Sequence, residues 1–340
     1  MARHSASIRR FRPHDAELSL ATRAAWLYYV GGHTQGEIAS RLEVSSAKAN
    51  RLIAKAQQRG VVKVFIEGEP AECIALEDRL AQYFDLASCV VVPRLEVTDT
   101  DAAWLEFAGV GVAGARFLNA HLEANEAAVV GLGKGRTVTA AVERMRSLDR
   151  PDLKFVSISG GLTRNMSVNP FDVIHKLIEL TGGNGYFLPV PYIADSVEEK
   201  ALLLAQKGVR DVLALARSAS LFAIGVGDFA EDAHVRQTGM VTAKEWKALK
   251  AAGAVGDILG SFLDGEGRPV ASDVNERSVG LHIDDLRGKR VLALVGGADK
   301  GAAVLAALRS GVITDLIVGE AAAEQAVALL SETSARKRRA

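Results

Sequence analysis

The first sixty residues contain three segments in which apolar positions recur at helical spacing. The first is Leu18–Val30. The second opens at Thr34, whose hydroxyl stands three residues before the Glu37 carboxylate, as in a capping box. The third opens with Ser45 as its N-cap and stops at Gly60. Two short helices with a tight turn and a shared apolar seam predict a helix-turn-helix.

Two further elements follow this head. Residues Val61–Glu67 read as a short strand, which predicts a winged helix-turn-helix. Glu72–Phe84 has the spacing of an amphipathic helix. This helix either joins the head to the body or pairs with a second copy, and the alternative is that it packs on its own body.

From Ala87 onward, apolar strands alternate with glycine-containing loops and helices. Alternation of this kind predicts a mostly parallel, Rossmann-like α/β sheet covered on both faces, with ligands bound where loops leave the carboxyl ends of the strands. The predicted strands are Cys89–Val92, Ala128–Gly131, Phe155–Ile158, Tyr186–Leu188, Leu221–Ile224, Val291–Val295 and Asp315–Val318.

The charges are unevenly distributed along a chain of 340 residues with no formal net charge. Residues 1–67 hold eleven Lys or Arg against five Asp or Glu, so the remainder carries the balancing negative charge. A basic head on an acidic body is typical of a protein that contacts phosphates at one end. A merely solvated basic face is the alternative.

The cysteine count and the hydropathy indicate in which cellular compartment the protein is found. Two cysteines are too few for a disulfide framework or a zinc site, which indicates a reducing interior. No run approaches the roughly 18 apolar residues of a membrane span, and the Arg-rich N-terminus lacks the apolar core of a signal peptide. We therefore expect a cytoplasmic protein without a membrane partner.

The outward face of the third helix is small and polar near its start and basic beyond it, as a helix entering the major groove requires. A helical hairpin inside an all-α core is the alternative. The predicted partner is double-stranded DNA, and the predicted contacts are Thr34, Gln35, Ser45, Ser46, Ala47, Asn50, Arg51 and Lys55.

The loop Gly131–Thr137 follows a strand and precedes a helix, so its backbone amides and basic side chains could hold an anion. Arg136 stands where a dinucleotide fingerprint needs glycine, and Lys134 is followed by glycine where a Walker motif needs Ser or Thr. A plain tight turn is the alternative. Glycine pairs mark four later loops, and together these loops predict one pocket with Asn169, Asp257 and Lys300 as polar members.

Signals for catalysis are poor. The seven histidines show no metal-ligand spacing, and none falls in the predicted pocket loops. The chain has no nucleophile elbow and no obvious acid–base pair. Lys300 could form a Schiff base, but a lysine beside two glycines is better suited to binding a phosphate. We expect no catalytic residue, no metal and no cofactor.

The order of these segments resembles the SorC family of bacterial transcriptional regulators over residues 18–330. The head resembles that family in LYYVGGHTQGEIASRLEVS. The body resembles it in VGLGKGRT, SGGL, LPVP, AVGDILGSFLDGEG, NERSVGL and GGADKGAAVLAALRSGVITDLIVGE. The later set is the most specific, since its members have no general structural reason to occur together.

The resemblance implies a dimeric or tetrameric repressor or activator. Its C-terminal domain would be similar to sugar-phosphate isomerases and would act as a sensor of a sugar, a polyol or a sugar phosphate. Three departures bear on specificity. The family usually has Arg where Ser46 stands and Ser where Asn50 stands, some phosphate-sensing members have Arg where Ser159 stands, and a bulky residue is common where Lys134 stands. The resemblance places the effector on Gly133, Lys134, Gly135, Arg136, Thr137, Gly160, Gly161, Asn169, Asp257 and Lys300.

We therefore predict a sequence-specific DNA-binding repressor of a carbohydrate catabolic operon. The alternative is an isomerase- or deaminase-like enzyme with an appended helix-turn-helix. The expected segments are a disordered basic arm (1–17), a winged helix-turn-helix (18–68), a linker helix (69–86), an effector-binding α/β domain (87–332) and a basic tail (333–340).

Overall fold

The computed structural model describes residues 16–62, 71–94, 102–124, 129–161, 173–231 and 233–339. The chain divides into two compact units, Met1–Ile66 and Glu67–Ala340. Several predictions fall outside the described residues. They are Asn169, residues 63–67 of the predicted wing strand, and all but the last two residues of the predicted disordered arm.

The first unit contains the predicted helix-turn-helix. Thr34 Oγ1 accepts a hydrogen bond from the Glu37 amide, and the Glu37 carboxylate accepts one from the Thr34 amide at 2.8 Å. Ser45 caps the next helix. The capping box and the second N-cap are therefore confirmed. The helices are α1 (Ala16–Ala25), which continues as a π-helical turn (Trp26–Val30), α2 (Gln35–Arg41) and α3 (Ser46–Gln58).

The first unit is held together by a small apolar core. Glu43 turns the chain between α2 and α3 with a φ of 54°, and Gly60 ends α3 with a φ of +66°, a conformation that glycine adopts without strain. Val61 and Val62 pack against this core. Its buried members are Ala21, Ala24, Ala25, Ile38, Ala39, Ala49, Leu52, Ile53 and Ala56.

The second unit is built on a seven-stranded parallel sheet, which confirms the predicted Rossmann-like class. Its strands are β1 (Ser88–Val92), β2 (Val129–Leu132), β3 (Lys154–Ser157), β4 (Asn184–Tyr186), β5 (Leu221–Gly225), β9 (Arg290–Val295) and β10 (Asp315–Gly319), arranged in the order β1-β10-β9-β5-β2-β3-β4. The chain runs outward from β2 through β3 to β4, and outward on the other side from β5. The topological switch point therefore lies between β2 and β5.

Helices cover both faces of this sheet. Phe155 and Val156 are both fully buried but belong to different apolar clusters, because alternate side chains of a strand point to opposite faces. The helices are α4 (Ala71–Phe84), α5 (Ala102–Ala124), α6 (Arg136–Arg144), α7 (Ile174–Thr181), α8 (Val197–Ala205), α9 (Lys207–Arg217), α10 (His234–Gln237), α11 (Ala243–Ala251), α12 (Asp273–Arg277), α13 (Gly301–Arg309) and α14 (Glu320–Arg339). None of the helices in the described ranges is long and apolar enough to cross a membrane.

A three-stranded antiparallel ribbon was not predicted. It consists of β6 (Gly227–Asp228), β7 (Gly256–Ile258) and β8 (Ser261–Leu263). The segment around Asp257 is therefore a strand and not the loop that its glycine suggests. The ribbon turns at Leu259 and Gly260, which both have positive φ, as a two-residue hairpin turn requires. Strands of two or three residues are too short to show a period in the sequence.

The first and last helices of the second unit, α4 and α14, coincide with the predicted linker helix and basic tail. Cys73 and Leu80 of α4 are buried in the apolar core of the body, so α4 packs on its own body, the alternative left open above. At the other end, α14 continues to Arg339, so the basic residues after 332 extend a helix.

Candidate functional site

A pocket opens at the carboxyl ends of β2, β3, β5 and β9, beside the switch point between β2 and β5. It encloses about 820 Å³, including the space at its open mouth. Its lining combines apolar, basic and acidic side chains from segments that are distant in the sequence. The lining residues are Phe107, Lys134, Gly135, Arg136, Thr137, Ser159, Tyr192, Gly225, Val226, Gly227, Asp228, Ala233, His234, Val235, Met240, Asp257, Leu259 and Lys300.

The amino end of α6 forms one wall of the pocket. Gly135 precedes α6 with a φ of 142°, and no side chain caps the helix. The amides of the first turn therefore lie beside the pocket at the positive end of the helix dipole. Thr137 Oγ1 donates to the main-chain oxygen of Leu294 at 2.7 Å, which ties this loop to β9. The exposed Arg136 guanidinium lies 4.7 Å from the centre of the Phe107 ring.

Lys134 joins the loop after β2 to the loop after β3. Its ammonium donates to the main-chain oxygens of Ser159 at 3.1 Å and Gly160 at 2.8 Å. Gly160 and Gly161 do not line the pocket. A Cβ at Gly160 would lie 2.0 Å from the Pro191 oxygen, so this glycine permits close backbone packing. Gly133 is also outside the lining, where a Cβ would contact Ile224 and Leu259.

Asp257 is a buried carboxylate at the floor of the pocket. Its Oδ2 accepts hydrogen bonds from the Gly260 amide at 3.1 Å and from the Tyr192 hydroxyl at 3.3 Å. Burial raises the pKa of Asp257 although both hydrogen bonds and the nearby Lys300 oppose the shift. Burial, followed by the Asp257 charge, holds the pKa of Tyr192 well above its usual value. Asp257 is thus a largely buried hydrogen-bond acceptor, and the half-buried Tyr192 already donates its hydroxyl hydrogen to it.

Lys300 supplies a positive charge from the loop after β9. Its Nζ donates to the Val226 oxygen at 2.7 Å and lies 3.5 Å from Asp228 Oδ2. Burial lowers the pKa of Lys300, and the charge of Asp228 opposes that shift. The structure therefore brings Lys300, Asp257 and the loop 134–137 together, as the sequence predicts.

Ser159 adds an unsatisfied hydroxyl to the lining. The residue is 1% exposed, and its Oγ has no hydrogen-bond partner within the described residues. A buried hydroxyl without a partner costs about 1–3 kcal/mol, so a water or a ligand hydroxyl is the natural partner.

Several lining residues were missed by sequence reasoning. Phe107, Tyr192, Met240 and His234 stand in segments without a glycine pair, and His234 opens a helix of only four residues. His234 thus lines the pocket, although no histidine falls in the loops from which the pocket was predicted. Burial, followed by the charge of Arg136, lowers the pKa of His234. Of these four residues, only Tyr192 stands beside a recognisable sequence pattern, the two prolines of LPVPY, that could have marked it as a candidate.

The predicted DNA-contacting residues lie in the first unit. All except Lys55 are exposed. Gln35 Nε2 donates to Asn50 Oδ1 at 3.2 Å, which links α2 to α3. Lys55 is half-buried, and its ammonium lies 2.6 Å from the Glu17 carboxylate of α1. Lys48, which the prediction omitted, is exposed on the first turn of α3.

Comparison with known proteins identifies the class of molecule. Residues 68–328 match a family model described as "Putative sugar-binding domain". The erythritol catabolism regulatory protein EryD of Brucella abortus (strain 2308) is 40% identical over 310 residues, which are 91% of this chain and 96% of that protein. The transcriptional regulator LsrR of Klebsiella pneumoniae subsp. pneumoniae is 30% identical over 321 residues, 93% of this chain and 95% of that protein.

The fold agrees with these relatives. The full-length sorbitol operon regulator SorC of Klebsiella pneumoniae superposes with a TM-score of 0.64 at 22% identity, covering 91% of this chain and 98% of that chain. The relatives are transcriptional regulators, which excludes the isomerase or deaminase alternative. The protein is a sugar-responsive DNA-binding regulator and not an enzyme. With a family model over most of its length and a relative at 40% identity, the chain belongs to the SorC-type family of sugar-binding transcriptional regulators.

Proposed function

We propose that this regulator represses a carbohydrate catabolic operon in the cytoplasm and leaves its operator when a small polyol or sugar fills the pocket of the second unit. The observation that carries the proposal is the meeting of Asp257 and Lys300 in one pocket, from strand ends that are distant in the sequence. A ligand that touches both ties separate loops together, so its binding favours one arrangement of those loops.

The chemistry of the lining suits a polyhydroxylated molecule. A hydroxyl both donates and accepts, so it can give a hydrogen bond to Asp257 and receive one from Lys300 or Lys134. Ser159 can supply a further contact through its Oγ, which has no partner in the part of the chain that the structure describes. Phe107, Val226, Met240 and Leu259 add apolar surface for the carbon chain of the ligand. The proposed contacts are the predicted residues that line the pocket, with Ser159 and Tyr192 added, and Asn169 stays a predicted contact outside the described residues. The predicted residues in the lining are Lys134, Gly135, Arg136, Thr137, Asp257 and Lys300.

An uncharged effector fits the pocket better than a phosphorylated one. The ammonium groups of Lys134 and Lys300 each already donate to main-chain oxygens, and a carboxylate accompanies Lys300. The EryD relative is named for erythritol, a small polyol. The place left for a phosphate would be the amino end of α6 beside Arg136.

We propose that α3 is the recognition helix. Its exposed residues Ser46, Ala47, Asn50 and Arg51 would reach base edges, and Thr34, Gln35, Ser45 and Lys48 would contact phosphates. A two-fold operator would be bound by two heads, so the proposal includes a homodimer or a larger homo-oligomer.

The test is a thermal-shift screen followed by fluorescence anisotropy on DNA from upstream of the regulated operon. The screen holds four- to six-carbon polyols, the matching sugars and their monophosphates. A ligand at a hundred times its dissociation constant should add about 2.7 kcal/mol to stability, and the same ligand should weaken operator binding. If only phosphates bind, the effector class is wrong. If a ligand binds and operator affinity rises, repression relieved by the effector is wrong.

A further inference from the structure

The short helix α12 binds the backbone on both sides of the hydrogen bond between Tyr192 and Asp257. It contains the first residues of the segment NERSVGL, among them Asn275 and Arg277. Neither of these two residues is part of the pocket lining as the structure describes it. Both are nevertheless bonded to segments that carry lining residues, so the polar side chains of α12 have a role that contact with an effector does not explain.

The Asn275 side chain binds the ribbon beside Asp257. Its Oδ1 accepts from the Phe262 amide at 2.8 Å, and its Nδ2 donates to the main-chain oxygens of Phe262 at 3.0 Å and Val270 at 2.8 Å. Phe262 is the cross-strand partner of Asp257, and its strand β8 lies at the edge of the ribbon. Asn275 therefore binds this edge much as a neighbouring strand would, and it fixes the backbone opposite Asp257.

The Arg277 side chain binds the loop that carries Tyr192. Arg277 is 3% exposed, and its guanidinium donates to the main-chain oxygen of Ala194, two positions after Tyr192. The two backbones pair as well. The Ala194 amide donates to the Arg277 oxygen at 3.0 Å, and the Val279 amide donates to the Tyr192 oxygen at 2.9 Å. The loop after β4 is thus held to the end of α12 through main chain and side chain together.

Two carboxylates hold the Arg277 guanidinium in one orientation. It donates to Asp273 of its own helix at 2.8 Å and to Glu245 of α11. A buried ion network of this kind adds little net stability over apolar packing, because removing the charges from water costs about as much as their attraction gains. What the planar guanidinium does provide is a fixed set of donor directions, one of which meets Ala194. The network therefore suits a residue that sets the position of a loop.

We propose that Asn275 and Arg277 are positioning residues of the effector site, which together set the distance between Asp257 and Tyr192. Asn275 acts through β8 and Arg277 acts through the loop after β4. The two residues stand two positions apart on one helix, and the Ser272 hydroxyl caps that helix by accepting from the Asn275 amide at 3.2 Å. The proposal rests on the proposed function, because it concerns the same pocket.

The first experiment observes Tyr192 in the free protein by ¹⁹F NMR after labelling with 3-fluorotyrosine. The chain has five tyrosines, of which the other four are 36–59% exposed, and the signal lost in Tyr192→Phe assigns Tyr192. We expect Asn275→Asp and Arg277→Lys each to shift this signal. Glu276→Gln, an exposed change between the two, should leave the signal in place. Loss of global stability alone does not shift a signal of the folded state.

The second experiment titrates each four- to six-carbon polyol of the thermal-shift screen into the full-length protein by calorimetry. Arg277→Lys should raise the dissociation constant of the polyol that binds by about fivefold or more. In the Tyr192→Phe background the same change should raise it by less than about twofold, because the hydroxyl that Arg277 positions is already absent. Circular dichroism verifies the fold of each variant.

The two experiments separate this proposal from the proposed function. An unshifted Tyr192 signal in both Asn275→Asp and Arg277→Lys would overturn the positioning role, and so would equal losses of polyol affinity in the two backgrounds. A wild type that binds none of the screened ligands would contradict the proposed function, and the Tyr192 signal in the free protein would then decide the positioning role by itself.

Discussion

The Tyr192 hydroxyl donates to the Asp257 carboxylate at 3.3 Å, although the two residues stand 65 positions apart in the chain. The bond joins the loop after β4 to the antiparallel ribbon at the floor of the pocket. An effector hydroxyl that contacts Asp257 would therefore also act on Tyr192.

Replacing Asp257 should uncouple the effector from DNA binding. Asp257→Asn keeps the shape of the side chain but removes its charge, and the expected loss of effector affinity is about ten- to a hundredfold, because hydrogen bonds to charged groups contribute about 1.5–3 kcal/mol. Operator affinity without effector should stay within twofold of the wild type in anisotropy titrations. Asp284→Asn, a change on the exposed surface, is the matched control. A wild-type effector response in Asp257→Asn would place the hydroxyl site elsewhere.

A methyl group at Gly227 should disturb the same carboxylate from the neighbouring strand. A Cβ there would lie 1.9 Å from Asp257 Oδ1, so the buried side chain would have to turn away from Tyr192. We expect Gly227→Ala to bind operator and ignore the effector. Gly208→Ala is the control, since a Cβ at Gly208 meets nothing within 4 Å and alanine favours the helix. Equal effector responses in the two variants would contradict this account of the pocket.

Arg51 and Lys55 should differ in their effect on operator binding. Arg51 is exposed on α3, and Arg51→Ala should cost about 1–3 kcal/mol if its guanidinium reads a base. Lys55 is paired with Glu17, so Lys55→Ala should cost less than about 1 kcal/mol. Anisotropy titrations at several salt concentrations measure both. A larger loss for Lys55→Ala than for Arg51→Ala would show that the wrong face of α3 was assigned.

Asp315 should make stability depend on pH. It is fully buried and accepts from Ser88 at 2.7 Å, from Thr314 at 2.8 Å and from Arg290 at 3.0 Å, which ties the amino ends of β1, β10 and β9 together. Burial acts to raise its pKa, but the hydrogen bonds from Arg290, Ser88 and Thr314 outweigh burial and lower the pKa below the usual 3.8.

A lowered pKa means that the folded state prefers the carboxylate. Its stabilisation is complete above the usual pKa of 3.8 and is lost as the pH falls through the lower pKa of the folded state. Asp315→Asn should therefore cost about 2–3 kcal/mol at pH 7. Urea unfolding of both proteins between pH 7 and pH 3 measures the difference between their free energies of unfolding. This difference should become smaller only below about pH 4. If the difference in free energy of unfolding stays constant down to pH 3, the charge of Asp315 does not stabilise the amino ends of β1, β10 and β9.

The large elements could be predicted because their residues repeat with a period. Most strands of the sheet are continuous apolar runs, the helices of the head have helical spacing and capping residues, and the structure reproduces both within a few positions. The ribbon β6-β7-β8 could not be predicted in this way, because its pairing depends on contacts between Gly227 and Asp257, thirty residues apart.

The pocket was only partly predictable for a related reason. Asp257 and Lys300 stand beside glycines, and glycine-rich strand ends mark the edge of a parallel sheet where ligands bind. Phe107 reaches the pocket from α5 and His234 from α10, and neither has a local pattern that separates it from an ordinary core or surface residue. Gly160 and Gly161 are predicted contacts that do not line the pocket, since a Cβ at Gly160 would meet the Pro191 backbone and one at Gly161 would meet the Lys134 side chain.

Strand β1 pairs with β10 at the edge of the sheet, and Ser88 and Asp315 at their starts are separated by 227 residues. At a synthesis rate of about 5–20 residues per second, roughly 10–45 seconds separate the synthesis of β1 from that of its partner strand β10. The helix-turn-helix needs only local contacts and can fold in that interval. A message broken before β10 would thus yield a chain with a folded helix-turn-helix and an effector-binding unit whose sheet lacks one of its strands.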